Sequence, residues 1–212
     1  HVQVSVSETR RCELNLAHNE PSLLRSNDSR RLAASAIVDG RKASADGNDL
    51  SPEGVAAFVD ALWDSARSAP QDDAHAVSSG QQLEVTRGPL EADPAALAQA
   101  LRQVLAWRAE HVPTVMIEEA LAAHMATRAV TLTTGGSRLA YELGWCELSV
   151  FGLAREGDAT SSFNFAGGTA DALQQAPQLF GVDRMMRELA QQVHTQPLGE
   201  QPPLSSPRAL ER

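Results

Sequence analysis

The stretch that decides the fold is residues 31–66, RLAASAIVDGRKASADGNDLSPEGVAAFVDALWDSA, where the apolar pattern changes from strand-like to helical. Residues 31–38 are predicted to form a strand, Asp39-Gly40 supplies the positive-φ positions of a tight turn, and residues 41–45 return as the next strand. A helix is predicted to begin at Ser51-Pro52-Glu53. Serine can accept hydrogen bonds from the free amides of a first turn, proline suits the first helical position, and glutamate favours the positive end of the helix dipole.

This helix carries one apolar stripe, because its large apolar residues recur three and four positions apart. The stripe consists of Val55, Phe58, Val59, Leu62, Trp63 and Ala66. Burial of one large apolar side chain contributes about 1.5–3 kcal/mol, so we expect the helix to dock on the sheet through this stripe. The substitution Val59→Asp is accordingly predicted to break the docking.

Upstream of this stretch, two runs of residues alternate between apolar and polar side chains, as half-buried strands do. Residues 2–7 form the first run and residues 12–16 the second, and we predict a hairpin that turns at Glu8-Thr9-Arg10. A further strand is expected at residues 22–26. With the two strands after it, this pattern predicts an antiparallel meander in residues 1–46.

The second half of the chain repeats the order of helices and strands. Asp93-Pro94 is predicted to start a helix with apolar residues at Leu97, Leu101, Val104 and Leu105. Residues 118–125 fit a helix by propensity and a strand by alternation, and periodicity leaves both interpretations open. Strands are predicted at residues 129–133, 137–143, 146–154 and 159–166, with turns at Gly135-Gly136 and residues 155–158. A third helix is predicted to use Val182, Met185, Met186, Leu189 and Val193.

These elements predict two α+β units, at residues 1–68 and 93–195. Residues 69–92 are expected to be a linker region that leaves room for one short strand. Residues 196–212 are rich in proline and are expected to be a tail, or a linker to a missing carboxyl-terminal half. The predicted fold class is α+β, with two antiparallel β-meanders and packed helices that arose by duplication of an α+β unit.

Charge and composition argue against several function classes. The 212-residue chain has 18 Lys and Arg against 27 Asp and Glu, a net charge of −9, so direct nucleic-acid binding is not expected. No apolar run reaches the ~18–20 residues that span a bilayer. The start at His1 lacks a signal-peptide pattern and suggests a trimmed start.

Cys12 and Cys146 could form one disulfide, but a reduced pair is favoured, so we predict a cytoplasmic protein that does not associate with membranes.

The histidines do not fit a zinc peptidase helix, which needs two histidines about one turn apart with a glutamate between them. The six histidines are His1, His18, His75, His111, His124 and His194, and no two lie within one helical turn of each other. On a helix, Glu119 and His124 would lie on different faces, so His124 is interpreted as a half-buried polar residue. Two separate cysteines cannot complete a cysteine-based zinc site.

Other catalytic motifs are also missing from the sequence. There is no G-x-S-x-G elbow, and Gly135-Gly136-Ser137 is interpreted as a hairpin turn between two strands. Gly167-Gly168 is interpreted as a turn, and the acidic pairs Asp72-Asp73 and Glu118-Glu119 as solvated charges. Three methionines, Met125, Met185 and Met186, are expected to fill the core rather than to bind a metal. The sequence therefore predicts no catalytic, cofactor-binding or metal-binding residue in this chain.

Several stretches, taken in order, resemble the amino-terminal half of the TldD/PmbA family, also described as the modulator of DNA gyrase or TldD–TldE metallopeptidase family. They are residues 4–9 (VSVSET), 25–28 (RSND), 39–45 (DGRKASA), 49–53 (DLSPE), 132–136 (LTTGG), 148–150 (LSV) and 157–158 (GD). The GRKASA and DLSP segments are more similar to the PmbA, or TldE-like, branch. Gly135 departs from the pattern, because the family commonly has serine after the threonine.

The resemblance implies an intracellular peptidase family whose members assemble as a TldD–TldE pair around a chamber. It places zinc on a His-Glu-x-x-x-His motif in the carboxyl-terminal half of the TldD-type subunit, and that motif is absent from this chain. The expected function is therefore that of a non-catalytic amino-terminal scaffold that encloses substrate in a complex for peptide maturation or proteolysis. Its expected partners are a TldD/TldE-like subunit, as a dimer, and a peptide substrate. The alternative is a stand-alone protein–protein interaction module that regulates a partner.

Overall fold

A computed structural model describes residues 1–194, in which an eight-stranded, mostly antiparallel sheet carries three α-helices on one face. The strands are β1 (Val2–Ala17), β2 (Glu20–Val38), β3 (Arg41–Gly47), β4 (Gln82–Arg87), β5 (Val115–Thr133), β6 (Arg138–Glu156), β7 (Ala159–Thr160) and β8 (Asn164–Ala170). The helices are α1 (Pro52–Ser68), α2 (Pro94–His111) and α3 (Val182–Gln192), with a 3₁₀ segment at Ala176–Gly181 before α3. This architecture confirms the predicted α+β class.

The two predicted meanders are parts of one sheet. The strand order is β3-β2-β1-β5-β6-β4. β8 pairs with β6 along the same edge as β4, further along the strand. Pairing of β1 with β5 over nearly their whole length joins the two halves. β4 is the one parallel neighbour in the described sheet, and it pairs with the first six residues of β6. The sheet is therefore continuous through both halves of the chain.

The hairpin predicted at Glu8-Thr9-Arg10 is wrong, because β1 runs through these residues without interruption. Its apolar residues stay on even positions before and after this tripeptide, so the alternation never changes phase, as it would at a tight turn. The chain turns instead at His18-Asn19, where φ is 52° and 66°. The separate strand predicted at residues 22–26 is likewise part of the long strand β2.

The remaining strand predictions are partly confirmed. Asp39-Gly40 is a turn with φ of 51° and 71°, and residues 118–125 are a strand inside β5. The two strands predicted at residues 137–143 and 146–154 form one strand, β6. The strand predicted at residues 159–166 is divided between β7 and β8.

Gly167-Gly168 is not a turn but lies inside β8. A Cβ at Gly168 would lie 2.6 Å from the ring of Phe180 in the 3₁₀ segment. Glycine at this position therefore allows close packing of the chain against the strand, rather than a reversal of its direction.

Helix α1 starts as predicted but packs differently. Ser51 Oγ accepts a hydrogen bond from Gly54 N at 3.0 Å, which confirms the cap. Leu62 and Ala66 are buried, but Val59 and Trp63 are 54% and 49% exposed. The prediction that α1 docks on the sheet through its whole apolar stripe is therefore wrong. The helix contacts β2 and β3 and leaves part of its apolar stripe in solvent. Because Val59 is half exposed, Val59→Asp is not expected to break the docking of α1 on the sheet.

Helices α2 and α3 cover the main core on the same face of the sheet. Asp93 Oδ1 accepts hydrogen bonds from Ala95 N and Ala96 N at 2.9 and 3.0 Å, as predicted for the start of α2. Met185 and Met186 are buried in this core, which confirms that they fill space there, whereas Met125 is only partly buried. The core also includes Leu97, Leu101, Val104, Ile117, Leu148, Val150 and Leu189.

Within residues 1–194, no helix is long and apolar enough to cross a membrane. The predicted tail at residues 196–212 lies outside the described residues. The division of the chain into units at residues 68 and 93 stays a prediction.

Candidate interaction surfaces

The described residues do not bring together a metal-binding set. No group of three or more His, Cys, Asp and Glu residues between positions 1 and 194 could hold a metal ion, so these residues do not fit zinc. Glu119 and His124 lie five positions apart on one strand, which places them on opposite faces of the sheet. His18 instead contacts Glu118 at 3.0 Å, on the surface of the protein.

Cys12, His124 and Cys146 lie side by side in one row across the sheet. This row was not predicted from the sequence. His124 is the register partner of Cys12 on β1 and of Cys146 on β6. The cysteines are therefore two strands apart, about 9–10 Å between Cα atoms, which exceeds the reach of a disulfide. Both thiols are free. Assigning residues 118–125 to a strand would have revealed this row, because register follows from the strand pairing.

Ser137 has a structural role in the turn between β5 and β6, as its position after two glycines predicted. Its hydroxyl lies 2.8 Å from Ser78 Oγ and accepts a hydrogen bond from Gln81 N at 2.9 Å. These contacts hold the segment before β4 against the turn. The Ser137 hydroxyl is thereby occupied by neighbours rather than directed at a cleft.

The first candidate surface is the free edge, which we define as residues 20–31 of β2. These residues pair with β1 on one side, whereas β3 covers only Leu32–Val38 on the other. All twelve residues are exposed, among them Leu23 and Leu24. An unpaired strand edge offers a row of backbone donors and acceptors to another extended chain.

The register shows which backbone groups point outward from the free edge. Paired residues in antiparallel strands alternate between exchanging two N–H···O bonds and exchanging none. His1 and Ile37 exchange both bonds, at 2.9 and 2.7 Å, so odd-numbered residues of β2 bond to β1. Bonded pairs recur every two residues along β2. The N–H groups of the even-numbered residues Leu24, Ser26 and Asp28 therefore point away from β1.

An ion-pair cluster holds the free edge to the rest of the sheet. Glu13 of β1, 5% exposed, accepts hydrogen bonds from Arg11 and from Arg25 of the free edge. The Arg11 hydrogen bond, supported by Arg25, holds the pKa of Glu13 below its ordinary value of 4.5 against the opposing effect of burial. Arg11 also reaches Glu147 on β6 at 3.4 Å. The cluster thus crosses β2, β1 and β6 on the face of the sheet without helices.

The second candidate surface is the α1 cleft, an opening of about 180 Å³ between α1 and the first strands. Every lining residue is apolar, including Val2, Val4, Val59 and Trp63. An apolar opening beside the half-exposed side chains of Val59 and Trp63 can accept an apolar side chain of another protein. The cleft is therefore a candidate contact site for another protein surface.

A wider groove lies next to the α1 cleft on the same face and has balanced charge. It has a volume of about 680 Å³ and crosses β1, β5 and β6 over exposed Val6 and Val130. Its walls carry three ion pairs with N–O distances of 3.3, 3.2 and 3.8 Å: Arg30–Glu8, Arg128–Glu142 and Arg138–Glu84. This part of the surface thus differs from the acidic chain as a whole.

Residues 2–66, from β1 to the buried end of α1, match the family model described as PmbA/TldA metallopeptidase domain 1. In this segment the chain is similar to the TldD/PmbA family. This match confirms the resemblance seen in the segments around Asp39-Gly40 and Ser51-Pro52. No curated protein matches the chain in sequence.

Solved structures extend the likeness beyond the matched TldD/PmbA segment. TldE from Thermococcus kodakarensis has a TM-score of 0.69 and 18% identity, over 91% of this chain and 43% of that one. A proposed modulator of DNA gyrase from Thermotoga maritima gives 0.63 and 16%, over 91% and 43%. Another from Bacteroides thetaiotaomicron gives 0.61 and 18%, over 89% and 46%. The fold is shared, and the chain spans less than half the length of each of these proteins.

Proposed function

We propose that this chain is a non-catalytic amino-terminal scaffold of a TldD/PmbA-type peptidase complex, and that it holds peptide substrates along the free edge of β2. The observation that carries this proposal is the twelve-residue exposed edge, paired on one side only, in a TldD/PmbA-type fold. The described residues supply no ligand set for zinc. In this proposal any zinc for hydrolysis lies in the carboxyl-terminal half of a TldD-type subunit, as the family resemblance implies.

Strand addition explains how such an edge could hold varied peptides. A peptide that pairs with β2 would bond to the outward N–H and C=O groups of the even-numbered residues, whatever its own sequence. Side chains on alternate positions would then contact Leu24 on the helix-bearing face and Leu23 on the other face. Main-chain pairing with few side-chain requirements suits a scaffold for peptide maturation or general proteolysis.

Ser26→Pro is expected to weaken peptide binding while leaving the fold intact. Proline removes the outward N–H of Ser26 and places its ring against an incoming strand, but it leaves the bonds to β1 in place. Binding of fluorescein-labelled unstructured casein peptides, followed by anisotropy, should weaken at least about ten-fold, which corresponds to the loss of one or two hydrogen bonds.

Ser26→Ala is the matched control, because it keeps the N–H and should bind peptide as the unchanged chain does. Circular dichroism and thermal melting would verify that both variants fold. Equal binding by the proline and alanine variants, or no binding by the unchanged chain, would contradict the role of the free edge.

We further propose that the α1 cleft docks a TldD/TldE-like subunit to form the dimer. Support comes from the exposed apolar residues Val59 and Trp63 beside a purely apolar cleft. The neighbouring groove adds three ion pairs with no net charge, so a second acidic subunit could approach there without strong repulsion. A buried apolar centre with a polar surround is the usual anatomy of a protein interface.

Val59→Asp is expected to abolish co-elution with a TldD-type subunit in size-exclusion chromatography, because it places a charge in the apolar contact. The melting temperature of the isolated chain should change little, since the side chain is half exposed. Ala57→Asp places the same charge on the opposite side of α1 and should preserve the complex. Co-elution that survives Val59→Asp would show that the subunit binds elsewhere, and its absence in the unchanged chain would favour a stand-alone interaction module.

A further inference from the structure

An exposed aromatic cluster lies on the face of the sheet without helices. Val150 is buried under the helices, so the next residue on β6, Phe151, points to the opposite face. Phe165 of β8 is the register partner of Phe151, and the ring of Phe163 stacks on that of Phe151 with 5.1 Å between centroids. Phe163 and Phe165 are each 60% exposed. The chain has only five phenylalanines, and three of them form this cluster. Aromatic side chains are enriched at protein contact sites.

A groove of about 730 Å³ joins this cluster to the free edge, and we call it the aromatic groove. Phe151 and Phe165 line one end, Leu23 of the free edge lines the other, and Leu121 of β5 lies between them. Leu23 is 45% exposed. An opening of this volume lies within the range of ligand sites and receives a few side chains of an extended chain. The groove is therefore shaped for a peptide rather than for a flat protein surface.

The charges in the aromatic groove are few and mostly paired. Glu13 and Arg25 line it and hydrogen-bond to each other. Glu119 is exposed in the same lining and forms no ion pair with a described residue. An acidic peptide residue would be repelled by Glu119, whereas an apolar one meets neither an unpaired cation nor a buried charge. The lining therefore favours apolar over acidic peptide side chains.

The spacing of the strands lets one peptide reach both the free edge and the aromatic cluster. Leu23 and Phe165 lie four strand steps apart, along β2, β1, β5, β6 and β8. Neighbouring strands are about 4.8 Å apart, which gives about 19 Å across the sheet. An extended chain covers this distance with about six residues of about 3.3 Å each. A peptide that leaves the free edge near Leu23 can therefore place its next segment in the groove.

We propose that the aromatic groove selects peptide substrates that carry an aromatic or large apolar side chain, which packs on Phe151, Phe163 and Phe165. This inference deepens the proposed function and rests on it for the second contact, at the free edge. Pairing at the edge holds a peptide of any sequence, and the groove adds a preference for one side chain about six residues away. Two contacts on one peptide bind more tightly than either alone, because the second forms within the complex.

The aromatic contact is tested by itself with a short peptide. The chain is titrated with a blocked tetrapeptide of sequence SFLS and followed by backbone amide NMR. Saturable shifts are expected at Leu121, Phe151 and Phe165, and a blocked SSSS peptide should produce none. Phe165→Ser should weaken binding of SFLS about ten-fold, because it removes one large apolar side chain from the contact.

Leu132→Ser is the matched control, because Leu132 is 52% exposed and pairs with Val4, on the helix-bearing face. This variant should bind SFLS normally, and circular dichroism would verify that both variants fold. The inference is overturned by the absence of saturable shifts with SFLS, by equal shifts with SSSS, or by full binding to Phe165→Ser. It is also overturned if the unchanged chain sediments as a dimer that Phe165→Ser dissociates, because a second copy would then cover the cluster.

A longer peptide separates this inference from the role of the free edge. It joins a threonine- and valine-rich segment as long as the edge to FL through a glycine–serine spacer of about six residues, and a second peptide ends in SS instead. Both are made in either chain direction and labelled with fluorescein. The FL peptide should bind at least about ten-fold more tightly, and Phe165→Ser should remove this difference.

Ser26→Pro should weaken both long peptides and leave their ratio unchanged. If Ser26→Pro weakens neither peptide while the FL peptide still binds more tightly, the free edge is wrong and the aromatic groove stands. If the two peptides bind equally and Ser26→Pro weakens both, the free edge stands and the groove is wrong. The two proposals therefore fail by different results.

Discussion

Gly144→Ala is expected to destabilise the chain by more than about 3 kcal/mol, or to prevent its accumulation as a folded protein. A Cβ at this position would lie 1.6 Å from the carbonyl oxygen of Pro89 and 2.4 Å from its carbonyl carbon. Both are backbone atoms, so no side-chain rotation can relieve the overlap. Gly88, in the segment that passes Gly144, is equally restricted: a Cβ there would lie 1.9 Å from the carbonyl oxygen of Gly144. Two backbones meet here at a distance that only glycine permits.

Urea denaturation followed by circular dichroism measures this effect, with Gly47→Ala as the matched control. A Cβ at Gly47 would meet only the Phe58 ring at 3.7 Å, an ordinary contact. The control should therefore change the free energy of unfolding by no more than about 0.5 kcal/mol. Similar unfolding curves for the two variants would show that β6 and the segment before α2 do not cross as closely as described.

The double substitution of Arg11 and Arg25 by alanine is expected to cost about 2 kcal/mol at neutral pH, the second-largest effect. It removes both charged hydrogen bonds to Glu13 and the aliphatic stems that cover this carboxylate. Because the folded-state pKa of Glu13 lies below 4.5, its contribution to stability is fully present above that pH. The contribution is lost as pH falls through the lowered folded-state value.

The difference in stability between the unchanged chain and the double variant should therefore shrink below about pH 4.5. Urea titrations at a series of pH values would measure it. Arg30→Ala is the control, because the Arg30–Glu8 pair is more exposed and should contribute no more than about 1 kcal/mol. A gap between the curves that stays constant from pH 7 to strongly acidic conditions would rule out Glu13 as its source.

Local signals in the sequence were enough to place turns and helix starts. Asp39-Gly40 and Ser51-Pro52 are specified by their own side chains and backbone preferences, and both occur where they were predicted. The continuity of β1 is also encoded, because its apolar residues occupy even positions along the whole strand. The polar tripeptide Glu8-Thr9-Arg10 resembles a turn in composition, which explains the wrong hairpin. Local chemistry therefore gave much of the α+β class and the boundaries of α1.

Features that depend on distant pairing could not be predicted in the same way. The row of Cys12, His124 and Cys146 exists only because three strands align in one register. The aromatic groove likewise requires five strands to pair in the order that joins Leu23 to Phe165. The half-exposed stripe of α1 shows that amphipathic periodicity identifies an apolar face without saying which molecule covers it.

The bare side of β2 also bears on how the chain behaves at high concentration. A long flat strand with open hydrogen-bonding groups can template the stacking of further copies, the first step toward fibrils. Residues 25–31, RSNDSRR, place charged or strongly polar side chains throughout this part of the strand. Such charges act as gatekeepers that keep like strands apart. Neutralising them is therefore expected to make this edge of the sheet prone to aggregation.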